Sequence, residues 1–229
     1  MFQKRKGQKE MIKVEHIVMP SPEQWEAIIH GMRNPMNSWH RTDSYPDKDG
    51  DIVIGDDDKT LMEKLTGAGS DHRKYMRMIV VLMDITAPLY WWKEYDTYKV
   101  GTVANSCSTM HKIHERPLTL DDFSHDHLTS SAKYRLADTI LAINDYREIY
   151  LNWDNESECV KKEFDFERKN VWWQMIQLLP SSFNQKRTLM LNYEVLWNMY
   201  HARKHHKLDE WVEFCRRIEG LPYSELITG

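Results

Sequence analysis

The stretch MIVVLMDI, residues 78–85, constrains this chain more than any other. Met78 to Met83 is the longest apolar run in the sequence, with Arg77 before it and Asp84 just after it. Six residues fall far short of the roughly 20 that a membrane-crossing helix needs. A short apolar run bounded by charge on both sides reads instead as a strand buried in a protein core. Such a strand has to be covered by apolar surface supplied elsewhere in the chain. The composition can supply it: 41% of residues are hydrophobic and 11% aromatic, including nine Trp. A chain so rich in large apolar side chains folds rather than staying disordered.

Around that strand the periodicities favour helices. Residues 1–11 read as a flexible basic tail, and 12–229 as a single domain. IKVEHIVM (12–19) alternates apolar and polar residues as a half-buried strand does. Ser21-Pro22-Glu23 is a helix start, with a capping serine, proline in the first turn and an acid at the positive end of the dipole. That helix places Trp25, Ile28, Ile29 and Met32 on one face and should stop before Pro35. Residues 34–57 read as a long loop. Asp57 or Asp58 should cap a helix to about Leu65, ended by Gly67-Ala68-Gly69. A helix from Ala87 to about Val100 carries aromatics all round, so both of its faces should be covered. After a polar loop at 114–130, helical patterns run over 131–151, 158–178 and 182–205, and a shorter one over 208–219. The fold class expected is helix-rich α/β or α+β, a small sheet flanked by long helices.

Net charge is −4 and the isoelectric point lies near 6.3. No global field therefore draws the chain to nucleic acid or anionic membrane, and no strong nucleic-acid footprint is present. Cys107, Cys159 and Cys215 are an odd and sparse set, as reduced thiols in a cytoplasm would be. The expected setting is cytoplasmic, with no membrane partner.

Several clusters invite chemistry. His111-x-x-His114 and His125-x-His127 lie near Asp121, Asp122 and Asp126, but no cysteine pair or HExxH spacing accompanies them, so solvated loop histidines are favoured over a metal site. Cys107 with His111 four residues on could form a thiolate pair, but a small cysteine in the packing is the simpler reading. GAGSDH (67–72) lacks the lysine of a triphosphate loop; its glycines suit a helix stop, while Ser70, Asp71 and His72 sit where a ligand could be met. HARKHHK (201–207) is either a set of cations complementing a helix C-terminus or an anion site with Arg203 offering a bidentate fork. Both readings stay open.

Taken in order, these pieces resemble the flavin-dependent thymidylate synthase family. That family joins a His-bearing segment and a buried strand to an aromatic helix and an Arg-His-Arg motif. A Ser-x-Asn-Glu-x-Ser-x-Arg-Tyr stretch follows, then a long helix bearing Leu-Arg and an Ala-Gln-x-Glu segment. Here Asp71-His72 and MIVVLMDITA (78–87) resemble the first part. Asn105-Ser106-Cys107-Ser108-Thr109-Met110-His111 resembles the second, and Ala202-Arg203 with Asp209-Glu210-Trp211 the last. The likeness spans about residues 65–220. Arg-His-Arg itself is missing, and two registers put either Lys93-Glu94-Tyr95 or Tyr98-Lys99-Val100 in its place. Ser106 stands for the Glu and Met110 for the Arg.

The resemblance implies FAD as cofactor, with His72, Lys93 and Lys99 on its side. It also implies a pyrimidine nucleotide held by Asn105, Ser106, Ser108 and Arg203, in a homo-oligomer, a tetramer by resemblance. The catalytic residues are not assigned. An active member would be a flavin-dependent methyl- or hydroxymethyl-transferase acting on a pyrimidine deoxynucleotide, in phage or prophage nucleotide metabolism or modification. The lost cations and the wealth of Trp and Tyr, residues enriched in interfaces, motivate an alternative. In that reading the chain is a non-enzymatic phage accessory or host-defence-inhibiting protein that uses the fold for protein–protein interaction.

Overall fold

The computed structural model describes residues 11–229. All of the expected basic tail except Met11 lies outside the described residues; the Met11 amide donates to Glu213 Oε2 at 3.0 Å. In chain order the elements are β1 (Lys13–Val18), α1 (Pro22–Arg33), β2 (Tyr45–Pro46), β3 (Ile52–Val53), α2 (Asp56–Gly67), β4 (Val80–Pro88), α3 (Leu89–Tyr95) and β5 (Val103–Ser106). There follow α4 (Thr109–Lys112), α5 (Ser130–Leu151), α6 (Glu158–Glu163), α7 (Arg168–Leu178), β6 (Asn184–Asn192), α8 (Tyr193–Arg203), α9 (Asp209–Ile218) and α10 (Glu225–Thr228). The architecture is helix-rich α+β, as the sequence predicts. The chain divides into two compact units, the first comprising residues up to Ile85 with Tyr95–Asn105 and Arg187–Gly229, the second Thr86–Glu94 with Ser106–Lys186.

In the first unit the strands follow the order β1-β4-β6-β5. Along β4, Val81, Met83 and Ile85 are buried, but Leu82 on the opposite face is 42% exposed. The run read as buried throughout is thus covered on one face only. The other face is polar: Asp84 Oδ2 meets His16 Nδ1 of β1 at 2.8 Å, and Asp84 Oδ1 accepts from Thr188 Oγ1 of β6 at 2.6 Å. Helix α1 keeps its predicted form. The Gln24 amide donates to Ser21 Oγ at 3.3 Å and the Ser21 amide to Gln24 Oε1 at 2.8 Å, a reciprocal cap. Trp25, Ile28, Ile29 and Met32 are buried.

The loop 34–57 is more structured than its composition suggests. β2 and β3 pair antiparallel around Gly50, whose φ of +84° suits glycine. Asp43, not Asp57 or Asp58, serves the start of α2: its carboxylate accepts from the Asp57 and Asp58 amides at 2.9 and 3.0 Å. Asp58 turns inward and is fully buried, accepting from Arg33 Nε at 2.6 Å, from the amides of Asp43 and Ser44 at 3.1 Å each, and from Ser44 Oγ at 2.7 Å.

Three helix expectations are corrected. The span 182–205 is strand β6 followed by helix α8. Its Gln, Lys, Arg, Leu and Met are good helix formers, yet Leu189 and Leu191 are buried while Met190 is 37% exposed, a period of two that fits the sheet. Asn192 then caps α8, accepting from the Val195 amide at 3.0 Å. The span 158–178 is broken into α6 and α7 by Asp165 and Phe166, both left-handed at φ 53° and 59°. The span 87–100 is helical only as α3, because β4 runs on to Pro88.

The second unit has its own core. Ile113, Leu118, Phe123, Leu136, Ile140, Ile143 and Met175 form one buried cluster. Asn144 of α5 ties the 114–130 loop to it, exchanging two hydrogen bonds with the backbone of Leu118 at 2.8 and 2.9 Å. In the same unit the Leu89 and Tyr90 amides donate to the carbonyls of Phe183 and Ser181, each at 3.0 Å.

Candidate functional site

The small polar segment after the aromatic helix forms one wall of a pocket of about 380 Å³ in the second unit. Cys107, Ser108 and Thr109 line it. Ser108 starts α4, its Oγ accepting from the His111 amide at 3.4 Å. That leaves the hydroxyl proton of Ser108 to donate. Thr109 is placed the same way, its Oγ1 accepting from Gln185 Nε2 at 3.1 Å; the same amide nitrogen donates to the Cys107 carbonyl at 3.0 Å. The Cys107 amide in turn donates to the Lys186 carbonyl at 2.9 Å, so the wall is fastened to the start of β6. Ile113, Leu118 and Phe183 supply an apolar surface. Lys112 and Arg116 also line the pocket, and each has an acidic partner. Lys112 pairs with Glu115, and Arg116 with both oxygens of Asp122. Burial opposes ionisation of Asp122, but the Arg116 guanidinium and the Thr119 amide outweigh it and hold the carboxyl below its usual range.

Of the other residues expected at a site, Asn105 and Ser106 are exposed on β5, just ahead of this wall. Lys93 is exposed on α3 and Lys99 is exposed beyond it, whereas Tyr95 between them is buried. His72 is exposed at the start of the short turn 73–77. Arg203 lies among aromatics of the first unit: its Nε donates to Tyr98 Oη at 3.0 Å, its Nη1 lies 2.8 Å from His206 Nε2, and its guanidinium carbon is 5.0 Å from the Trp211 ring centre. Arg203 and the residue before Lys99 are thus brought together. Of the rest of HARKHHK, His206 stays with Arg203, whereas His201 stacks on Trp197 at 4.2 Å and Lys204 Nζ lies 5.4 Å from the Tyr200 ring. Among the described residues no three of His, Cys, Asp and Glu gather to hold a metal. No helix among them is long and apolar enough to cross a membrane.

The sequence does not reveal Gln185 and Phe183 as pocket residues, because the span holding them reads as helix. A second, larger cleft is lined by Arg73, next to His72, and by Trp197.

No family model matches the chain, and no curated protein does. Solved structures do. The flavin-dependent thymidylate synthase ThyX of Helicobacter pylori, complexed with FAD and dUMP, aligns over 94% of this chain and 97% of its own, with a TM-score of 0.60 and 17% identity. A second structure of Thymidylate Synthase X from Helicobacter pylori with FAD and dUMP aligns over 95% of both chains, with a TM-score of 0.61 and 16% identity. The fold is that of flavin-dependent thymidylate synthases. Near-complete coverage in both directions means that the likeness extends over nearly the whole chain. At 17% identity it carries the fold, and the side chains of this chain have to argue for themselves.

Proposed function

We propose that the chain is a pyrimidine-nucleotide-binding protein on a ThyX-like fold, with FAD as cofactor. The pocket behind Ser108 carries the proposal. At about 380 Å³ it lies toward the small end of the roughly 300–1,000 Å³ of ligand sites. Its apolar surface suits the face of a base. The hydroxyls of Ser108 and Thr109 already accept bonds and so present protons, which match the carbonyl acceptors of a pyrimidine ring. By resemblance Asn105 and Ser106, both exposed, are assigned to the nucleotide as well. By resemblance Arg203 holds the nucleotide phosphate. For the cofactor, His72, Lys93 and Lys99 are of a type that fits: exposed ammonium groups meet phosphate oxygens as point charges, and a ring N–H donates to them. A bound flavin supplies hydride-transfer chemistry, and these residues supply binding and orientation.

As an enzyme the protein would be a methyl- or hydroxymethyl-transferase acting on a pyrimidine deoxynucleotide, a cytoplasmic homo-oligomer in phage nucleotide metabolism or modification. The purified protein is expected to carry the visible absorbance of flavin, and dUMP is expected to raise its melting temperature. A colourless protein that neither flavin nor dUMP stabilises would contradict this reading. That outcome would favour the second one, a non-enzymatic phage accessory or host-defence-inhibiting protein. The neutralisation of both pocket cations, Lys112 by Glu115 and Arg116 by Asp122, is the observation that favours it.

A further inference from the structure

A second cleft, of about 590 Å³ and wholly within the first unit, is lined by Glu63, Gly67, Gly69, Arg73, Trp197 and Glu225 among others. Arg73 is its unusual member. The side chain is only 12% exposed, yet its guanidinium makes no hydrogen bond among the described residues. Its nearest acid, Glu194, stands 3.8 Å from Nε, beyond hydrogen-bonding reach, because Arg77 takes both Glu194 oxygens. The guanidinium carbon lies 3.8 Å over the Trp197 ring, and His201 stacks against the same indole. With the indole so engaged, its Nε1 is buried and also lacks an acceptor. Two buried donor atoms, Arg73 Nε and Trp197 Nε1, with no acceptor among the described residues are costly, and such atoms are rarely left unmatched in a folded chain.

The rest of the lining narrows what would match them. Glu225 is tied to Lys59 at 2.8 Å, whereas Glu63 has no ion pair or hydrogen bond among the described residues. One wall therefore offers donors and another a carboxylate acceptor. Gly67 and Gly69 form part of the rim, and a side-chain carbon added at either would meet nothing within 4 Å, so a ligand can approach the backbone there. We infer that this cleft binds a small organic phosphate bearing hydroxyl groups, with the phosphate on Arg73 and Trp197 Nε1 and a hydroxyl on Glu63. Arg supplies the planar fork that phosphate oxygens accept. This site is separate from the Ser108 pocket and does not depend on the nucleotide reading.

Calorimetric titration of the full chain with ribose 5-phosphate, with inorganic phosphate and with ribose tests it. Ribose 5-phosphate is expected to bind saturably and more tightly than either fragment. Trp197→Phe keeps an aromatic face while removing the N–H donor along with part of the indole, and should weaken binding about threefold to tenfold. Arg73→Lys and Glu63→Gln should each weaken it about tenfold or more, the loss of a hydrogen bond to a charged group. Glu63 is exposed, so its variant should fold normally and keeps the test decisive if an Arg73 variant does not. No saturable heat with ribose 5-phosphate, or an affinity unchanged in both Trp197→Phe and Glu63→Gln, would overturn the proposal. Inorganic phosphate binding as tightly as ribose 5-phosphate would overturn the role of Glu63 and leave no organic ligand.

Discussion

Asp58 shows how a single side chain organises an irregular stretch. Three donors from Asp43 and Ser44 and one from Arg33 converge on a carboxylate with no solvent exposure. Removing its charge leaves Arg33 buried without a counterion, so Asp58→Asn should lose about 3–5 kcal/mol of stability in urea titrations. A loss below about 1 kcal/mol would show that the pair is not the anchor. Asp43 adds a pH dependence. Burial works against its ionised form, but the amides of Asp57 and Asp58 outweigh that and lower its pKa from the usual 3.8. With the folded value below the unfolded one, its contribution is complete above 3.8 and fades as pH falls through the folded value. An Asp43→Asn variant should therefore show a shallower loss of stability than the parent over that acid range. The thiols divide by environment. Burial pushes Cys215 up to about 12, whereas Cys107 and Cys159 are exposed. A thiol reagent should therefore label two cysteines in the native protein and the third only on unfolding.

At the scale of elements, what could be read from the sequence was whatever local chemistry decides. Ser21-Pro22 and its apolar stripe gave α1, and the alternation of IKVEHIVM gave β1. Misreadings arose where tertiary context decides. The residues of β6 prefer helix by propensity, but the sheet orders them between β4 and β5 and imposes alternation. The cap of α2 comes from Asp43, thirteen residues before the helix begins at Asp56, which no local motif signals. Gly101 is a third case, legible only from coordinates. Its φ is +76°, and a side-chain carbon there would come within 2.8 Å of Asn192 Nδ2, the residue that caps α8. Gly101→Ala should therefore cost more than about 1 kcal/mol, measured by thermal or urea unfolding. A neutral result would mean that the turn relaxes without disturbing the cap.

Over the whole molecule, the fold is legible as an ordered series of weak likenesses, and the solved ThyX structures match that fold over 94% and 95% of the chain. The candidate site was legible in part. The small polar residues after α3 do line a pocket, but Gln185 and Phe183, which complete it, come from a segment whose pairing only the fold reveals. Arg73 has no signal in the sequence, because nothing in its neighbours forecasts an arginine whose Nε is buried without an acceptor among the described residues. The homo-oligomer proposed for this fold predicts a sedimentation mass several times the 27.4 kDa of the chain; a monomer would remove any site that needs two copies. The central claim is nucleotide binding behind Ser108, and calorimetric titration with dUMP tests it most directly. Saturable binding that weakens about tenfold when Ser108→Ala and Thr109→Val are combined, through loss of two neutral hydrogen bonds, is the predicted result. No heat with dUMP, or binding indifferent to both substitutions, would contradict it.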